Sequence, residues 1–213
     1  MAAIIFDLDG TLIDSAPDIQ AAVNRTLADL GRPALGLETV KSYIGHGVAN
    51  LLSQVAQTSG LTIAPNDLHR HFMTHYHAGE SRPYPGVLTA LEVLLKADLH
   101  LGICTNKPDL PTREVLAHLG LTPVFKAVIS GDSLAMRKPD PAPLLAAAAA
   151  LGQDQVIFVG DSEVDAETAR AAGIPFVLYT GGYRKSPVTD IPHHAAFDDH
   201  AALPQLIEAL LHP

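Results

Sequence analysis

The sequence predicts an α/β protein, a doubly wound parallel sheet carrying an inserted α-helical cap domain. Three observations lead there: short apolar runs that each stop at polar residues, helix-like segments between those runs, and one long stretch with helical patterns only. Ala3-Ile4-Ile5-Phe6, ending at Asp7, is the first run, and a continuous apolar run this short reads as a strand buried on both faces. Leu99 to Cys104 ends at Thr105-Asn106-Lys107, Ala127 to Ile129 at Ser130-Gly131-Asp132, and Val156 to Val159 at Gly160-Asp161-Ser162. Pro175 to Tyr179 reads as a fifth strand. Helices are expected over Val87 to Ala97, Pro111 to Leu119, Pro143 to Leu151, Glu163 to Ala172 and Leu203 to Leu211. This alternation implies a parallel sheet whose ligands sit at the carboxyl ends of its strands.

From Ser15 to Arg82 the alternation breaks. Ser15-Ala16-Pro17-Asp18 supplies a helix start, with Ser15 as the cap and Pro17 in the first turn, and Gly31 a stop. Further helices are expected over Leu37 to Tyr43, Val48 to Thr58 and Asn66 to Gly79. Residues 15–82 therefore read as the cap, residues 1–14 and 83–213 as the core, with Arg82-Pro83-Tyr84-Pro85-Gly86 as the return hinge.

The 213 residues allow one domain with a large insertion or two small ones. With 47% hydrophobic and 17% charged residues the chain is too apolar to be disordered. The 14 Lys+Arg against 23 Asp+Glu give a net charge of −9, which argues against nucleic acid and favours a small-molecule ligand. A single cysteine, Cys104, makes no intramolecular disulfide and suits a reducing cytoplasm. With no run of 18 apolar residues and no leader pattern, a soluble cytoplasmic protein without a membrane partner is expected.

The polar strand ends carry the chemistry. Asp7 and Asp9 stand two residues apart where the first strand emerges, so both side chains can face one site, although Asp-Gly is also a common turn. Thr105-Asn106 offers a hydroxyl and an amide for a bound oxyanion. Lys138, before Pro139, is a candidate cation, with Lys107 and Arg137 as alternatives and an exposed loop lysine as the plain reading. Asp161 and Asp165 lie four apart around a helix start, which Asp161 or Ser162 could also simply cap. Four carboxylates, a hydroxyl, an amide and a lysine converging on one sheet edge suit Mg²⁺ better than zinc. That set fits phosphoryl transfer: one Asp attacks phosphorus, a second protonates the leaving oxygen and later activates water, and Mg²⁺ with Lys shields the charge.

These motifs resemble those of the haloacid dehalogenase superfamily, and the resemblance spans essentially the whole chain. Its Asp-x-Asp-Gly-Thr, Thr, Lys-Pro and Gly-Asp-x-x-x-Asp pattern is met by Asp7, Asp9, Thr11, Thr105, Lys138, Asp161 and Asp165. The resemblance implies a Rossmann-like core, with Asp7 as nucleophile and Mg²⁺ ligand, and Asp9 as acid/base that also binds metal through its carbonyl. Asp161 would be the third protein ligand, and Asp165 would orient metal water or Lys138. Thr105 and Asn106 would hold phosphoryl oxygens, Lys138 would bridge nucleophile and phosphate, and Thr11 would sit in the mobile turn beside the substrate. Asp9 speaks against dehalogenation, where a leaving halide needs no proton. Thr105-Asn106-Lys107 stands where mutases typically have small residues. Tyr84-Pro85-Gly86-Val87, Cys104 to Pro108, Phe158 to Ser162 and Gly181-Gly182-Tyr183-Arg184 are most similar to the phosphoglycolate phosphatase branch, although phosphatases of sugar or nucleoside phosphates share several of them. The resemblance thus implies a small phosphomonoester substrate, with a phosphomutase and a non-catalytic phospho-acceptor as the rival readings; a monomer and a homodimer are both open.

Specificity is expected in the cap. Tyr43-Ile44-Gly45-His46-Gly47 interrupts the helical pattern as a loop lowered onto a substrate would, so Gly45, His46 and Gly47 are candidates to meet a substrate carboxylate. A plain connection with an exposed histidine is the alternative. His69, His71, His75 and His77 lack an evident third ligand and read as polar cap surface or a dimer contact. Arg184 and Lys185 could touch substrate or only solvent, with solvent the favoured reading, and Cys104 is expected to be a buried small hydrophobe.

Overall fold

The computed structural model describes residues 2–212. Its main sheet contains β1 (Ala2–Phe6), β4 (His100–Cys104), β5 (Ala127–Ile129), β6 (Gln155–Gly160), β7 (Phe176–Tyr179) and β8 (Ala195–Phe197); β2 (Ile13–Asp14) and β3 (Arg82–Pro83) form a separate ribbon. All pairings of the six-stranded sheet are parallel, in the order β5-β4-β1-β6-β7-β8. The chain builds outward from β1 on one side through β4 and β5, then returns to its other side for β6, β7 and β8. That reversal opens a crevice at the carboxyl ends of β1 and β6, the usual position of a ligand in such sheets.

Apolar runs become strands here because both faces are covered. Ile4 and Phe6 point into a cluster with Val87, Leu91, Leu94, Val115 and Ile207, whereas Ala3 and Ile5 point into the opposite one with Leu144, Ala147, Leu151, Ala166 and Ala169. Those residues come from α5 (Val87–Lys96), α6 (Asp109–His118) and α9 (Leu203–Leu211) on the first face, and from α7 (Ala142–Leu151) and α8 (Glu163–Ala172) on the second. The sheet is thus doubly wound, as expected. Helix α6 begins at Asp109, ahead of Pro111, because a proline in the first turn removes no helical hydrogen bond. Strand β8 and the ribbon strands carry no sequence signal, being two or three residues long.

Between the ribbon strands run α1 (Ala16–Asp29), α2 (Leu37–Lys41), α3 (Val48–Ser59) and α4 (Pro65–His75). They share a core of their own, in which Ile19, Val23 and Leu27 of α1 recur at helical spacing and meet Val40, Leu51, Val55, Leu68 and Phe72. Helix α4 stops four residues short of the expected Gly79, because Tyr76 turns to an extended backbone. We take the antiparallel ribbon, with Ile13 opposite Pro83 and Asp14 opposite Arg82, as the joint between core and cap.

Ser15 departs from expectation. It makes no side-chain cap to α1; its hydroxyl donates instead to Asp9 Oδ1 at 2.6 Å. The first turn of α1 has another anchor, Asp18, which accepts the amides of Gly79, Glu80 and Ser81 and the Ser81 hydroxyl, pinning the return segment to the cap. Burial raises the Asp18 pKa, but the Ser81 hydroxyl and the three amides outweigh it and hold the carboxyl below its ordinary value. Stability from a depressed carboxyl is present above the unfolded value of about 3.9 and lost as pH falls through the folded value. Asp18→Ala is therefore expected to lose about 2 kcal/mol at neutral pH in urea denaturation, with the gap to the unsubstituted protein closing below about pH 4.

Candidate active site

The crevice gathers the predicted carboxylates. Asp7 extends β1 toward β6, its amide donating to the Val159 carbonyl at 2.9 Å. Lys138 Nζ, nearly inaccessible, lies 2.9 Å from Asp7 Oδ1 and 2.6 Å from Asp165 Oδ1. The other oxygen of Asp165 takes the Asp161 and Ser162 amides and the Ser162 hydroxyl, forming with Ser162 a reciprocal cap on α8. Ser162 rather than Asp161 is thus the cap residue. Asp161 points into the crevice, where Oδ1 accepts the Thr11 hydroxyl at 2.7 Å and Oδ2 the Tyr183 amide at 2.5 Å.

One carboxylate oxygen from each of Asp7, Asp161 and Asp165 lies within 4.8 Å of the others. Burial, together with the neighbouring Asp165 and Asp9 charges, outweighs the attraction of Lys138 and pushes the Asp7 carboxyl up to about 7. Burial and the charges of Asp165 and Asp7 hold Asp161 well above the ordinary range. Lys138 goes the other way: burial would lower it, but Asp165 and Asp7 keep it firmly charged. Buried carboxylates packed this closely call for a further positive charge, and an all-oxygen donor set fits a hard divalent cation. Asp7 Oδ1, which has no aligned hydrogen-bond donor, and the spare lone pairs of Asp161 suit that role. Both oxygens of Asp165 are already engaged, so it supports the centre through Lys138 and the α8 start.

Asp9 belongs to a second network. Lys107 Nζ lies 3.1 Å from Asp9 Oδ1 and also bonds the hydroxyl of Tyr76, at the end of α4, so one ammonium joins core to cap. Burial disfavours that ammonium, but the Asp9 charge and Tyr76 raise its pKa above the ordinary lysine value. Thr105, buried beside Asp7 on the cleft wall, accepts the Lys107 amide and keeps its own hydroxyl proton to donate.

Three expectations need correction. Thr11 is fully buried and its hydroxyl is turned to Asp161, so it braces the acidic cluster instead of facing a substrate. The Asn106 side-chain amide is spent on the Gly45 carbonyl (3.0 Å) and the Lys138 carbonyl (2.9 Å), leaving that side chain no free N–H for a phosphoryl oxygen. Its bonds tie the Gly45-His46-Gly47 loop down onto the core, where a Cβ on Gly47 would come within 3.3 Å of the Asn106 carbonyl. Lys185, for which solvent was the favoured reading over substrate, is exposed yet lines the cleft.

The cleft under the cap has two lobes that share Asp7, Asp9, Ile44 and Gly45. One holds Asp161, Ser162, Glu163, Tyr183 and Lys185, with exposed His46 at its rim. The other is lined by Ile19, Val48, Leu51, Phe72, Tyr76, Thr105 and Lys107 and measures about 40 Å³. Lys107 was legible only as an alternative cation and Tyr183 only within the Gly181-Gly182-Tyr183-Arg184 resemblance; Tyr76 and the Ser15 contact carry no sequence signal, because each acts across the core–cap boundary. His75 pairs with Asp29 on the cap surface, away from the acidic cluster. Cys104 is fully buried, its thiol pushed up to about 12 chiefly by burial, as befits a packing residue.

Two carboxylates at the end of the central strand, a buried lysine and a further acidic pair, all under a helical cap, define a hydrolase of the haloacid dehalogenase-like class. The chain belongs to that family, whose model (Haloacid dehalogenase-like hydrolase) matches residues 4–179. Among its relatives, a phosphoglycolate phosphatase of Cereibacter sphaeroides is 48% identical over 99% of this chain and all of its own. One from Rhodobacter capsulatus is 43% identical, covering 97% of this chain and 96% of its own. A crystal structure of a predicted phosphoglycolate phosphatase from Haemophilus somnus superposes with a TM-score of 0.90 at 31% identity, over 96% of this chain and 97% of that one.

Gly10 lets the turn after Asp9 pass beside the acidic cluster: its φ is +90°, and a Cβ there would lie 2.5 Å from Asp161 Oδ2. Gly10→Ala is expected to displace Asp161 and weaken binding of a divalent cation by about tenfold or more in calorimetric titration.

Proposed function

We propose that the protein is a Mg²⁺-dependent phosphomonoesterase that works through an aspartyl phosphate and hydrolyses 2-phosphoglycolate to glycolate. The observation that carries this reading is the placement of Asp9. It stands two residues beyond Asp7, facing the same cleft, and is held by Lys107 and Ser15 where a leaving oxygen would need a proton.

In this reading Asp7 attacks phosphorus and the ester P–O bond breaks. Asp9, entering the first step protonated, gives its proton to the departing oxygen; in the second half it recovers a proton from the water that attacks the aspartyl phosphate, and phosphate leaves. Thr105 donates its hydroxyl to a phosphoryl oxygen, and Lys138 keeps Asp7 oriented while offsetting charge. Asp7, Asp161 and the Asp9 carbonyl would hold the Mg²⁺, which when bound neutralises charge on the phosphoryl oxygens. Asp7, Lys138 and Asp161 are buried, so these charges act in a medium of low dielectric.

Substrate choice rests on the relatives, among them phosphoglycolate phosphatases 48% and 43% identical over nearly the whole chain. Among the described residues no helix is long and apolar enough to cross a membrane, and the single buried cysteine suits a reducing cytoplasm.

Phosphate release from 2-phosphoglycolate, sugar phosphates, nucleotides and an aryl phosphate tests the reading. The expected result is strong preference for 2-phosphoglycolate, abolished by EDTA and reduced by about a thousandfold or more in Asp7→Asn. Sugar-directed turnover would overturn the substrate, and metal-independent release would overturn the mechanism.

A further inference from the structure

We infer that Lys107 is the group that recognises the carboxylate of the substrate, a specificity role that rests on the function proposed above. The lobe containing Asp161 lies beside the acidic cluster, so the organic part of the substrate falls to the other lobe. Its lining is largely apolar, with Ile19, Ile44, Leu51 and Phe72, and among the described residues Lys107 is the one cationic side chain in it. His46 and Lys185, the other basic groups at the cleft, are both exposed and line the lobe beside Asp161.

The ammonium is suitably placed and has spare capacity. It carries three hydrogens; Asp9 Oδ1 and the Tyr76 hydroxyl take two, and the third makes only a long 3.4 Å contact to Asp9 Oδ2, which a ligand carboxylate can replace. Asp9, 3.1 Å away, is also the group that meets the ester oxygen. In 2-phosphoglycolate the carboxylate carbon is two bonds from that oxygen, so a substrate aligned with Asp9 brings its carboxylate to Lys107. The Lys107 side chain is only 4% exposed, so the interaction is shielded from water. A neutral leaving group would put uncharged atoms against the desolvated ammonium, and a site built around a buried polar group discriminates strongly against ligands that leave it unmet.

The test compares the unsubstituted enzyme with Lys107→Met on 2-phosphoglycolate and on 2-hydroxyethyl phosphate, which keeps the two-carbon frame without the carboxylate. Both rates should fall, since Asp9 loses its partner, but the ratio of kcat/KM values for the two substrates should fall by about 100-fold, chiefly through KM for 2-phosphoglycolate. An unchanged ratio, with both substrates slowed alike, would show that Lys107 serves Asp9 alone and overturn the proposal. Absence of any preference in the unsubstituted enzyme would instead overturn the phosphoglycolate reading beneath it. Should Lys107→Met fail to fold, Tyr76→Phe supplies the test. It removes only the neutral partner of the ammonium, so the preference should hold or rise. A drop of about tenfold would assign the carboxylate to the Tyr76 hydroxyl and overturn the role of Lys107.

Discussion

Lys138 between Asp7 and Asp165 is the interaction on which the rest of the site depends. Its ammonium is removed from water and stays charged because two carboxylates face it at 2.9 and 2.6 Å. Remove it, and Asp7 and Asp165 become two unpaired buried anions, a change of the kind that costs several kcal/mol. Asp165 in turn closes the start of α8, and the same turn delivers Asp161. One chain of contacts thus runs from the central strand, through a loop lysine, to a helix cap and back to the crevice. The site is rigid because its charges are also the structure's fastenings.

Around this centre the charges are unequally partnered. Lys138 and Lys107 offset two of the four carboxylates, leaving a formal deficit that favours a divalent cation. The two lysines differ in what they connect. Lys138 joins parts of the core to each other, whereas Lys107 joins Asp9 to Tyr76 of the cap. Tyr183 makes a comparable link from the opposite direction: it extends from a core loop into the cap's apolar cluster, and its hydroxyl takes the Ser15 and Ala16 amides while donating to Asp14. Its own amide holds Asp161, so the entrance to the cap and the acidic cluster share a residue.

Sequence legibility follows the range of the interactions. The main strands and helices were readable because burial on two faces, or on one helical stripe, writes itself into local periodicity. Asp7, Asp9, Lys138 and Asp161 were readable because a parallel sheet brings its strand ends to one edge, so topology does the work of distance. The Asn106 amide could not be assigned this way, since its choice between a phosphate and the Gly45 carbonyl depends on how far the cap descends. Thr11 and Ser15 misled for a related reason. Each has a strong local role in turn or cap chemistry, and each is claimed by a carboxylate from outside that local frame.

The ribbon of β2 and β3 bears on descent as well as shape. The chain leaves the core at Ile13 and re-enters opposite it at Pro83, so the two cut ends of the core already lie side by side, hydrogen-bonded to each other. A segment grafted at paired ends imposes little closure entropy on the host and asks for no change in the register of the sheet. The acidic cluster and both buried lysines lie on the host, whereas the apolar wall of one lobe, with Ile19, Val48, Leu51 and Phe72, lies on the graft. Such an arrangement lets the two be inherited separately, with one reaction passed down intact while the molecules it acts on are exchanged.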